Sequence, residues 1–180
     1  MARLPEAEAL ADSAAEAGAL AEAARVRVGK NMRTKEFLSK LDHDRIVQAI
    51  RDAETKTSAE IRVYIQRGHL SGDPLAAAQK RFQKLGMHRT SERNGVLIFV
   101  VPRAHKFAVV GDQAIHEKCG QTYWQRVVDS MGEHFRNERF SEAIVDGIRD
   151  IGRVLAEHFP KRSTSSNELP DDVIERRSLL

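Results

Sequence analysis

The chain has 180 residues, 31% of them charged, with a formal net charge of +3. That length suits one domain with extensions, and the composition is that of a globular chain rather than a fibrous or disulfide-rich one. No stretch reaches the roughly 18 consecutive apolar residues of a membrane-spanning helix, and Cys119 stands alone, so no intrachain disulfide can form.

Residues 1–31 are rich in Ala and Glu, which favours helix by propensity. Leu4, Leu10 and Leu20 give only a thin apolar stripe, so this extension is expected to be helical or disordered. Glu6, Glu8 and Asp12 stand where a signal peptide needs a basic start and an unbroken apolar run. The expectation is therefore a cytoplasmic protein. "GKNMRTK" reads as a basic linker, and the domain proper is expected over 41–160.

In "LDHDRIVQAIRDAETKT", Ile46, Val47 and Ile50 share a helical face and Asp42 is placed to cap it. "AEIRVYIQ" then alternates strictly. Ile61, Val63 and Ile65 face one way and Glu60, Arg62 and Tyr64 the other, which predicts a half-buried strand towards a sheet edge. "SGDPLAAAQKRFQKLGM" opens a helix with Asp73 as cap and Pro74 at its first position. Its Lys80, Arg81 and Lys84 accompany Leu75, Phe82 and Leu85 as an ordinary solvated face, which argues against nucleic acid as a partner.

"GVLIFVV" is apolar throughout and predicts a central strand. "PRAH" turns the chain and "KFAVVG" returns antiparallel. A short helix carries His116 and Cys119. Trp124, Val127, Val128, Met131 and Phe135 then recur at helical spacing, as do Phe140, Ile144, Ile148, Ile151 and Leu155. Residues 161–180 read as a flexible polar tail. The order of elements predicts an α/β fold with a small mixed sheet covered by helices, its first two strands parallel.

Strand direction gathers distant polar residues. The third strand ends where the first two begin, so Glu60, Arg93, Asn94 and Asp112 meet at one end, with His88 in the adjoining loop. Oxygen ligands from Glu60, Asp112 and the Asn94 amide would suit Ca²⁺ or Mg²⁺. The same spacing equally makes Asp112 the cap of the next helix, with Arg93 neutralising it. The opposite end holds a rival site, His69, Asp73, Arg103 and His105, beyond the carboxyl ends of the parallel strands where open α/β sheets bind ligands. Arg103 and His105 also fit a plain solvated turn. No phosphate loop, HExxH or CxxC motif is present.

The ordered series "TSAEIRVYIQ", "LGMHRTSERNGVLIFVVP", "KFAVVGDQAIHEKCGQTYW" and "NELPDDV" resembles the TPM domain family. The resemblance implies a three-layer α/β/α sandwich. Some members are associated with acid phosphatase activity, others with divalent-cation binding or with assembly at membranes. Glu60 and Asp112 match the family's acidic positions, Arg93 and Asn94 its strand-entry motif, and His88 the "LGMH" variant. The glycine-rich motif that lumenal and secreted relatives carry after the third strand is "GDQAI" here, a departure that weakens the phosphatase expectation.

Two functions follow as expectations. In the first, a domain binding Ca²⁺ or Mg²⁺ acts as a binding or assembly module, meeting a protein partner through the N-terminal extension or C-terminal tail. In the second, a weak metal-dependent phosphatase uses Glu60 and Asp112 as metal ligands, Arg93 and Asn94 for the substrate, and His88 as the proton donor.

Overall fold

The computed structural model describes residues 33–161 and 173–177. Four strands, β1 (Ile61–Arg67), β2 (Val96–Val101), β3 (Lys106–Gly111) and β4 (Val173–Arg177), form one sheet in the order β3-β2-β1-β4. β1 runs parallel to β2, with Val63 opposite Ile98, and parallel to β4, with Val63 opposite Val173. β3 returns antiparallel to β2, with Phe99 opposite Ala108.

Helices cover both faces, so the fold is an α/β/α sandwich. The helices are α1 (Thr34–Ser39), α2 (His43–Glu54), α3 (Pro74–Lys84), α4 (Gln113–Arg136) and α5 (Phe140–His158). Ile61, Val63, Val96, Ile98, Phe107 and Val109 point into the larger core, which α2, α4 and α5 close. Tyr64, Leu97, Phe99, Ala108 and Val110 point the other way, against Ala78 and Phe82 of α3. Alternation along each strand thus feeds two cores at once, as it must when both faces of a sheet are buried.

The helix starts follow their expected caps. The Asp42 carboxylate accepts from Arg45 N at 3.1 Å and that of Asp73 from Ala76 N at 3.1 Å, satisfying backbone donors that would otherwise lack partners.

Three expectations change. The domain begins before residue 41: α1 occupies part of the supposed linker, and its Phe37 is fully buried with its ring 5.0 Å from that of Phe140. β1 is interior, because β4 pairs along its outer side. Its alternation had suggested a wet face, yet Arg62 and Gln66 are buried beside Tyr64. The tail is not wholly without structure either, since Val173–Arg177 form β4 and Val173 joins the larger core. The remainder of 161–180 after Lys161, and the extension 1–31, lie outside the described residues.

The short helix expected to carry His116 and Cys119 and the helix of Trp124 run as one element, α4, broken at Gly120, whose φ of +69° is open to glycine at little cost. Beyond the break, Trp124 lies across the end of β3. A Cβ at Gly111 would come within 2.4 Å of the indole, so β3 closes on a residue with no side chain.

Candidate functional site

The end of the sheet where β1 and β2 begin and β3 finishes is organised around Asp112, which is fully buried. Arg93 grips it with both arms of the guanidinium: Nε donates to Oδ2 at 2.9 Å and a terminal nitrogen donates to Oδ1 at 3.1 Å. Gln113 N also donates to Oδ1, at 2.8 Å, so the same carboxylate caps α4. The backbone amide of Asp112 donates to Gly95 O at 2.9 Å, fixing the strand end. Bidentate, charge-assisted pairing of this kind is strong and directional. The hydrogen bond to Asp112 is the main reason the Arg93 guanidinium holds its proton more firmly than usual.

Arg93 reaches Asp112 from a tight loop. Its own φ is +52°, and its amide donates to Thr90 O at 3.1 Å, while Asn94 N donates to Thr90 Oγ1 at 3.1 Å. A non-glycine residue in left-handed backbone is strained and needs compensation from its surroundings. Here the paired side chain and the Thr90 turn supply it.

Asn94 faces a different group. Its Nδ2 donates to Ser58 Oγ at 3.1 Å and approaches Glu92 Oε2 at 3.4 Å, and Ser58 in turn donates to Glu92. Ser58 and Glu92 escaped the sequence reading because "KTSAE" and "TSERN" are polar loop segments with no motif. They come together only because β1 and β2 start side by side.

Glu60 is buried, and its backbone carbonyl accepts from Val96 N at 2.8 Å. His88 lies in the turn Met87–Arg89, half-buried, with Nδ1 enclosed and lacking a hydrogen-bond partner. Among the described residues, no group of three or more His, Cys, Asp or Glu side chains converges as a metal site.

At the opposite end, His69 is exposed in the loop after β1, and Asp73 serves α3 as its cap. Arg103 is exposed in the turn Pro102–Ala104, and His105 follows it with φ of +53°. The strands do bring these residues to one edge. A groove of about 480 Å³ lies elsewhere, between α2 and α5, lined by Ala49, Ala53, Lys56, Arg149, Gly152 and Arg153.

Residues 32–154 match the family described as TPM domain. The chain belongs to the TPM domain family. No match is found among curated proteins. Among solved structures, this TPM domain is similar to the NMR structure of the BA42 protein from the psychrophilic bacterium Bizionia argentinensis. The two are 34% identical with a TM-score of 0.69, over 74% of this chain and 92% of that chain. The family match starts at residue 32, consistent with α1 as part of the TPM domain.

Proposed function

We propose that this TPM domain acts as a binding or assembly module rather than as a phosphoester hydrolase. One observation carries the reading: Asp112 and Arg93 satisfy each other, with both carboxylate oxygens engaged and the cap of α4 depending on one of them. A hydrolase built on this end would need the carboxylate open to a cation and the guanidinium open to a phosphoryl group. Neither is open while the pair is closed, and a cation at Asp112 would have to displace the guanidinium and disturb the start of α4.

A divalent cation has a better second position. Ser58 Oγ, a Glu92 carboxylate oxygen and the Asn94 amide lie within hydrogen-bonding reach of one another. The Glu92 carboxylate and the Ser58 hydroxyl are hard oxygen donors of the kind Ca²⁺ or Mg²⁺ prefer, and Asn94, which now presents Nδ2 to them, would add its carbonyl oxygen once its amide turned over. A cation held there would tie the loop before β1 to the loop before β2 and would have a structural role.

Thermal melts and a phosphoester-turnover assay, each in EDTA, Ca²⁺ or Mg²⁺ and on the wild type, Glu92→Gln and Asp112→Asn, test both statements. A site filled at about a hundred times its Kd stabilises by ~2.7 kcal/mol, or roughly 5–10 °C for a domain of this size. The expected result is no phosphoester turnover with any ion, and any cation-dependent rise abolished by Glu92→Gln. Turnover that needs metal and disappears in Asp112→Asn would overturn the proposal in favour of the phosphatase.

A further inference from the structure

α2 and α5 lie side by side, and the side chains where they meet are small. A Cβ at Gly152 would come within 2.6 Å of the Ala53 Cβ, so the Ala53 methyl rests directly on the α5 backbone. Ala49 and Ala156 continue the small surface along the two helices. Side chains this short leave the trough above the contact unfilled, and the groove of about 480 Å³ is the result. That volume falls within the usual range of small-molecule pockets, roughly 300–1,000 Å³. The lining runs from Ala49 to Lys56, a length of about 10 Å at the helical rise.

The charges around the groove are unequal. Lys56, Arg149 and Arg153 line it against one acid, Asp52, which already accepts from Gln48 Nε2 at 2.8 Å. Arg149 and Arg153 each turn one terminal nitrogen to an aspartate one turn back on α5, Asp146 at 3.4 Å and Asp150 at 2.9 Å. A guanidinium carries more N–H donors than one such contact uses, so both arginines keep donors for a second acceptor. Lys56 has no ion pair among the described residues. The carbonyl end of α2 has its own cation in Lys161, whose Nζ donates to Glu54 O at 2.9 Å, which leaves the Lys56 ammonium to the groove.

The stems of Lys56, Arg149 and Arg153 are apolar below their charged heads. With the alanines they give the groove apolar walls and floor under a cationic rim. A bare inorganic anion would meet the rim and leave the floor wet, and an uncharged apolar molecule would leave the rim without a partner. We infer that the groove binds a small organic carboxylate, its apolar body lying along α2 and α5 and its carboxylate held at the cationic rim. The inference is independent of the Asp112 end and of the cation position at Glu92.

Titration of the isotope-labelled full chain with octanoate, followed by amide NMR shifts, tests it. Octylammonium is the control, with the same apolar body and the opposite charge. The expected result is saturable shifts at the Ala49, Ala53, Gly152 and Ala156 amides with octanoate, and affinity weaker by roughly ten-fold for octylammonium. Lys56→Glu with Arg153→Glu should weaken octanoate by roughly ten-fold as well, since each exposed ion pair contributes up to about five-fold. Ala156→Leu fills the trough and should remove the binding.

Equal affinity for the two probes, octanoate shifts that spare the groove, or undiminished binding in a folded Ala156→Leu would overturn the inference. So would saturation of these amides by an oligoglutamate peptide with none by octanoate, which would make the groove a dock for an acidic protein segment. The comparison of the two probes needs only the wild type, so it decides the question whether or not a variant folds.

Discussion

Arg93 pairs its side chain with Asp112 while its backbone sits at φ +52°, so truncating it has two opposed effects. Arg93→Ala leaves a buried carboxylate without its main partner and keeps the left-handed strain. Removing one member of a buried pair costs about 3–5 kcal/mol. Arg93 is half exposed, so about 2–3 kcal/mol is expected here. Arg93→Gly loses the same pair but relaxes the backbone, and it should be the less destabilised by about 1 kcal/mol. Urea unfolding of both variants measures the difference, and an inverted order would mean that the loop does not hold Arg93 in strain.

Cys119 raises a related question about chemistry. Burial, with a smaller effect from the negative charge of Glu157, pushes its thiol pKa up. A raised pKa means less thiolate at neutral pH. Its reaction with a disulfide reagent in the folded protein should therefore lag behind that of a free thiol at pH 8, and catch up only as the pH rises past the ordinary cysteine range. Rapid labelling at pH 7 would show a thiol activated by a neighbour, and would bring Cys119 back as a nucleophile.

At the scale of elements, β4 carries the clearest consequence. It shields the outer edge of β1 and places Val173 in the larger core. Val173→Asp puts a charge among apolar side chains, and a cost of about 2 kcal/mol or more is expected. That corresponds to roughly 5–8 °C in Tm for a domain of this size. Cutting the chain after Lys161 should do more, since the bared edge of an interior strand invites pairing with other chains. Light scattering would then rise with concentration, whereas a truncated chain that stays monomeric with an unchanged Tm would mean that β4 contributes nothing to closing the sheet.

The sequence carried some of these elements clearly and others hardly at all. Asp42, Asp73 and Asp112 marked three helix starts because capping is local chemistry, written within four residues. β2 was legible because both its faces are apolar. β4 was not: "VIERR" is short, more than half charged and set among polar residues, and its parallel pairing with β1 depends on a strand more than a hundred positions away. The same distance effect misplaced β1, whose polar residues were taken for a solvated face. In the structure Tyr64 stacks on Phe99 with ring centroids 5.7 Å apart, and the Arg81 guanidinium lies 4.3 Å from its ring centre. At the Asp112 end, the convergence of Arg93 and Asp112 was readable from topology. The contacts among Ser58, Glu92 and Asn94 were not, because they depend on the path of two loops.

Across the whole molecule the sheet separates two environments. One end is a closed network in which Arg93, Asp112 and the start of α4 hold each other, and the other gathers Arg67, Arg103, Lys106 and the end of β4. The order in which the sheet is assembled adds a demand of its own. β1 and β2 are both made by Val101, but the strand that covers the other side of β1 comes only at Val173–Arg177. At about 5–20 residues per second on the ribosome, that interval lasts several seconds. Throughout it the outer side of β1 has no strand to pair with, an exposed edge during synthesis that the finished sheet no longer shows.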